Sequence, residues 1–63
     1  MRVNGVEREG AGLSVAALLA SLNIESRGVA VAIDGEIVSR SQWPDTIVAE
    51  HATLEIVTAA AGG

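Results

Sequence analysis

A chain of 63 residues with no cysteine must hold its shape on side-chain packing alone. No disulfide can staple it, and a single histidine without thiols cannot build a usual zinc site. A domain this short buries only about 60% of the surface its unfolded chain exposes, so its core has to be dense. A walled-in catalytic cavity is hard to fit into such a core. Hydrophobic residues make up 49% of the chain, well above the composition of a disordered segment. The expectation is one domain over 1–63 that works as a carrier or binding module and not as an enzyme.

Turn chemistry divides the chain. Asn4-Gly5 between Met1-Arg2-Val3 and Val6-Glu7-Arg8-Glu9 predicts a β-hairpin, because a type I′ turn needs positive φ at both central positions. Asp34-Gly35 predicts a second hairpin between Val29-Ala30-Val31-Ala32-Ile33 and Glu36-Ile37-Val38. Between them, Ser14 is a good helix N-cap, and Val15, Leu18, Leu19 and Leu22 follow at i, i+3, i+4 and i+7 on one helical face. Asn23 is a helix stop. Ser41-Gln42-Trp43-Pro44-Asp45 predicts a short helical turn ended by the proline. The last strand is Thr53–Thr58, with Leu54 and Ile56 on one face and Glu55 and Val57 on the other.

The predicted order is β-β-α-β-β, a short helix, then β. One helix covering one face of a mixed sheet gives both a core, and that α+β arrangement is the β-grasp. The opposite sheet face is then partly open, and Ala30, Ala32 and Val57 are its candidate partner-docking residues.

Charge and motifs exclude most other functions. Eight acidic residues oppose four arginines, with no lysine, for a net charge of −4; the basic patch that nucleic-acid binding requires is missing. The stretch 13–22 resembles a signal-peptide apolar region, but Glu7, Arg8 and Glu9 before it lack the positive bias of a signal, and it is too short for a membrane span. A cytoplasmic protein without a membrane partner is therefore expected. Gly5 and Gly10 have the spacing of a phosphate-binding loop without its Lys-Ser/Thr. His51 has no cysteine or second histidine to work with, and Trp43 reads as a plug over the core. The carboxylates Glu25, Asp34, Glu36, Asp45, Glu50 and Glu55 are spread singly, with no pair spaced for acid–base catalysis. No catalytic or metal residue is expected.

The ending Ala59-Ala60-Ala61-Gly62-Gly63 stands apart. It carries no bulky side chain, and glycine lets a slender segment approach another backbone closely. Such a tail, expected to be flexible and to be the end of the chain, can thread a narrow channel and present a bare carboxylate. Taken by itself the tail reads first as a frayed terminus, where glycine and disorder concentrate; on a β-grasp the balance reverses in favour of threading.

On these residues the chain resembles the ThiS family, the sulfur carriers of thiazole (thiamine) biosynthesis, which are relatives of ubiquitin-like proteins. The resemblance runs through MRVNGVEREG, VAALLASLNI, VAVAIDGEIVSRSQW and LEIVTAAAGG, and is most specific at Arg40 three residues before Trp43 and at Gly62-Gly63. It implies that a ThiF-type enzyme adenylates the Gly63 carboxylate with ATP and that a persulfide donor converts it to a thiocarboxylate. Thiazole synthase (ThiG-type) would then receive the sulfur. Gly62, Ala61 and Ala60, with Ala59, would be the threading tether, ATP would belong to the partner, and no cofactor would be bound by this chain. His51-Ala52 departs from the Gly-Asp often found in the turn before the last strand of the family. The alternatives are a molybdopterin-synthase small subunit, a ubiquitin-like protein modifier, and a plain β-grasp interaction domain.

Overall fold

The structure, a computed structural model, describes residues 1–25 and 27–58. Two short strands, β1 (Arg2–Val3) and β2 (Val6–Glu7), form the first hairpin, and the helix α1 spans Val15–Ser21. The second hairpin joins β3 (Val29–Ile33) to β4 (Glu36–Val38); a 3₁₀ helix at Arg40–Asp45 and β5 (Thr53–Thr58) follow. The sheet order is β2-β1-β5-β3-β4. β5 lies at the centre, parallel to β1 and antiparallel to β3.

Both hairpins turn as their dipeptides require. Asn4 and Gly5 have φ of 53° and 82°, and Asp34 and Gly35 have 51° and 86°, the all-positive pattern of a type I′ turn. The first hairpin runs past the registered pair Arg2↔Glu7, since the Arg8 N–H donates to the Met1 carbonyl at 2.9 Å and the Met1 amino group to the Arg8 carbonyl at 3.4 Å, and the strand pairing ends before Glu9. In α1 the Ser14 hydroxyl accepts from the Ala17 amide at 3.1 Å, satisfying one of the free donors of the first turn. The helix ends at Leu22, whose N–H is shared between the carbonyls of Leu18 and Leu19, and Asn23 turns the chain away at φ 58°.

The core lies between α1 and one face of the sheet. Leu18, Leu54, Val15, Val31 and Val48 are fully buried, with Met1, Val3, Leu19, Trp43 and Ala52 around them. Leu22, expected on the helix stripe, is only half-buried and packs against the edge of this cluster. Trp43 closes one side of the core, as its plug reading predicts. Its indole N–H donates to the Val38 carbonyl at 3.0 Å, and the Arg40 guanidinium sits 5.7 Å from the ring centroid, within cation–π range.

Two local expectations are corrected. The 3₁₀ helix begins at Arg40, and Pro44 lies inside it with Asp45 still helical. A 3₁₀ turn is short enough to tolerate one missing donor, and the end is made by the Thr46 N–H bonding to the Trp43 carbonyl. The turn at His51-Ala52 closes without a glycine: the Ala52 N–H bonds to the Ala49 carbonyl at 3.1 Å, and neither Glu50 nor His51 has positive φ. Ala52 contributes a buried methyl, and its carbonyl accepts from the Arg2 N–H at 3.0 Å, which starts the β1·β5 ladder.

Candidate functional site

Strand pairing decides which side chains share the face turned away from α1. Val31 lies opposite Ile56 and Ile33 opposite Leu54, so these residues look into the core. Directly opposed residues share a face, so the alternate pairs Ala30↔Val57 and Ala32↔Glu55 occupy the outer one. The three candidate docking residues, Ala30, Ala32 and Val57, are thus together on one surface. Val57 is 57% exposed and the two alanines are half-buried, leaving a shallow apolar floor.

The same register adds a residue that the sequence reading passed over. Ile37 pairs with Ala32 and therefore stands on the outer face, where it is 74% exposed. Its signal was available: Val38 next to it turns inward, and alternation along a strand sends its neighbour out. The outer face is apolar over β3, β4 and the end of β5, with Glu55 beside the patch. Toward β1 and β2 it becomes ionic, where Arg2 Nε lies 3.5 Å from Glu7 Oε1.

β5 carries this face to the C-terminal segment. Thr58, opposite Val29, is the last residue of the strand. Gly63, Gly62, Ala61, Ala60 and Ala59 lie outside the described residues. What precedes them is held from both sides. The Asn4 side chain reaches across to β5, accepting from the Ile56 N–H at 2.8 Å through Oδ1 and donating to the Ile56 carbonyl at 3.0 Å through Nδ2. At the start of the strand, Asp34 Oδ1 accepts from the Thr53 N–H at 3.0 Å.

The other chemistry-bearing side chains are elsewhere. His51 is exposed in the turn before β5, beside an open groove with Glu7, Arg8 and Glu50, at the opposite end of the strand from the tail. Among the described residues, no three His, Asp or Glu side chains come together as a metal site, and no polar residue is buried. No helix among them is long and apolar enough to cross a membrane.

Among the described residues, one main helix on one face of a five-stranded mixed sheet, with β5 at its centre and an open outer face, defines a β-grasp protein. A model of the ThiS family matches residues 1–63 in full, and the chain belongs to that family, the small sulfur carriers of thiamine biosynthesis. Among solved structures it is similar to the crystal structure of the thiamine biosynthesis protein ThiS from Geobacter metallireducens. The two share 30% identity over 98% of this chain and 96% of that one, with a TM-score of 0.83. No curated protein matches the chain.

Proposed function

We propose that this protein carries sulfur as a thiocarboxylate on Gly63 and delivers it to thiazole formation, acting as a cosubstrate of other enzymes. The observation that carries this reading is the family match reaching through the Gly62-Gly63 ending, on a chain whose described core contains no polar or charged residue. A carboxylate resists a sulfur nucleophile because it has no leaving group. In the proposed sequence a ThiF-type partner binds ATP, and a Gly63 carboxylate oxygen attacks its α-phosphorus, displacing pyrophosphate. The terminal sulfur of a persulfide donor then attacks the acyl carbon and AMP departs. A thiol cleaves the resulting acyl disulfide, leaving the thiocarboxylate on Gly63 and a disulfide on the donor side. A ThiG-type synthase takes the sulfur.

This chain contributes binding and presentation. Gly62, Ala61, Ala60 and Ala59 have the minimal bulk that a narrow partner channel demands. The face of Ala30 and Ala32 on β3, Ile37 on β4 and Val57 on β5 is the docking surface, and of these strands β5 leads directly to the tail. With no cysteine and no lysine, the chain holds no side-chain thiol or amine to compete for its own activated carbonyl.

Incubation with a ThiF-type enzyme, ATP and a persulfide donor should raise the intact mass by the difference between sulfur and oxygen, localised to Gly63 and dependent on ATP. An unchanged mass, with a partner active on another carrier, refutes the reading. Docking is checked separately with Ile37→Asp. A charge in the apolar patch should lower kcat/KM for adenylation about tenfold or more, as loss of an interface anchor does. The melting temperature should stay within a few degrees of the parent, because the side chain is exposed.

A further inference from the structure

We infer that Asn4 is a positioning residue for the reacting C-terminus: its side-chain amide completes the β1·β5 ladder at Ile56 and so fixes the strand end from which residues 59–63 leave. The inference rests on the carrier reading proposed above.

The parallel ladder runs from Arg2 N–H to the Ala52 carbonyl at 3.0 Å and from Asn4 N–H to the Leu54 carbonyl at 2.9 Å. Continuing it would need another backbone donor two residues on, but the chain has already reversed through Asn4-Gly5 into β2. A carboxamide offers the same acceptor and donor as a peptide group, and Asn4 uses both on Ile56. β5 is thereby paired with β3 on one side as far as Thr58 and anchored on the other as far as Ile56. Only Val57 and Thr58 separate the anchor from the tail. Adenylyl transfer requires the carboxylate to reach a near-attack geometry in the partner's site, and a strand end with a fixed direction reduces the orientational search during binding.

A matched control is built into the fold. Asp34 also heads a type I′ turn followed by glycine and also bonds a β5 amide, but at Thr53, five residues before the end of the strand. Glycine at either site keeps the positive φ and removes only the side-chain anchor.

Two readouts on the full chain test the assignment. Amide order parameters of Val57 and Thr58 should fall in Asn4→Gly from the rigid range, about 0.85, toward the flexible range below about 0.6. They should hold in Asp34→Gly. In ATP–pyrophosphate exchange with the adenylating partner, at a temperature where all variants are folded, Asn4→Gly should raise KM about three- to tenfold with kcat retained at saturation, the size of one or two lost hydrogen bonds. Asp34→Gly should leave KM unchanged. Asn4→Asp, which keeps an acceptor for the Ile56 N–H, should recover part of the loss. Equal effects of the two glycine variants, or an unmoved Thr58 in Asn4→Gly, overturn the assignment. A parent protein that is not adenylated at all refutes the carrier reading instead, and the order parameters then decide whether Asn4 holds the strand end.

Discussion

Gly62→Val is expected to abolish thiocarboxylate formation, with kcat/KM for adenylation falling by about a hundredfold or more, while the unfolding transition stays where it is. The two halves of that result have separate causes. A branched side chain next to the reacting carboxylate adds bulk and stiffens φ and ψ where a narrow channel demands a slender, pliant backbone. Displacing a reacting group by an ångström is enough to cost about a hundredfold in rate. Stability should not change, because β5 ends at Thr58 and the described core reaches no further along the chain than Ile56. Single-turnover adenylation and a thermal melt on the same sample check both. A variant that turns over at the parental rate would remove the threading role of the tail, whatever happens to the docking face.

Leu18→Ala has the opposite signature: the chain should unfold, and all function should go with it. Leu18 has no exposed surface, and the fit around it is tight. A methyl group built at Gly10 would come within 2.8 Å of Leu18 Cδ1 and 3.1 Å of Met1 Cε, so the loop before α1 closes directly onto this side chain. Truncating a buried leucine costs about 2.7–5 kcal/mol, depending on how far the site collapses. A single hydrophobic core in a domain of this size rarely supplies more than about 3–5 kcal/mol in total, and no disulfide adds to it. The variant should therefore be largely unfolded at 25 °C by far-UV circular dichroism. Leu18→Met, which nearly conserves volume, should cost less than about 1.5 kcal/mol and remain folded. Urea titration of the three proteins gives the comparison, and a cooperative, parent-like midpoint for Leu18→Ala would show that the core is not organised around this residue.

The positions readable from the chain alone are those whose physics is local. Positive φ at Asn4-Gly5 and Asp34-Gly35 follows from the conformations those dipeptides tolerate, and the Ser14 cap from a hydroxyl three residues from the amide it accepts. The helix face follows from the 3.6-residue period. The outer-face grouping of Ala30, Ala32 and Val57 needed only alternation plus the idea of one covering helix, and the bare Ala-Gly tail is a chemical statement that requires no fold. Val48 and Ala52 are different. They are core residues in the irregular segment between the 3₁₀ helix and β5, where no periodicity marks an inward side. Val48 is drawn in because its amide bonds to the Leu13 carbonyl and its own carbonyl accepts from Gly12, contacts made across the fold.

By itself, then, the sequence determined the hairpin turns, the helix and the strand faces, since each is set by dihedral preference or spacing within a few residues. Only the tertiary structure decided that the last strand lies at the centre of the sheet, that Ile37 joins the outer patch through its register with Ala32, and that Asn4 grips Ile56 from 52 positions away. Those outcomes depend on which strands pair and at what offset, and that is fixed only when distant segments close over a shared core.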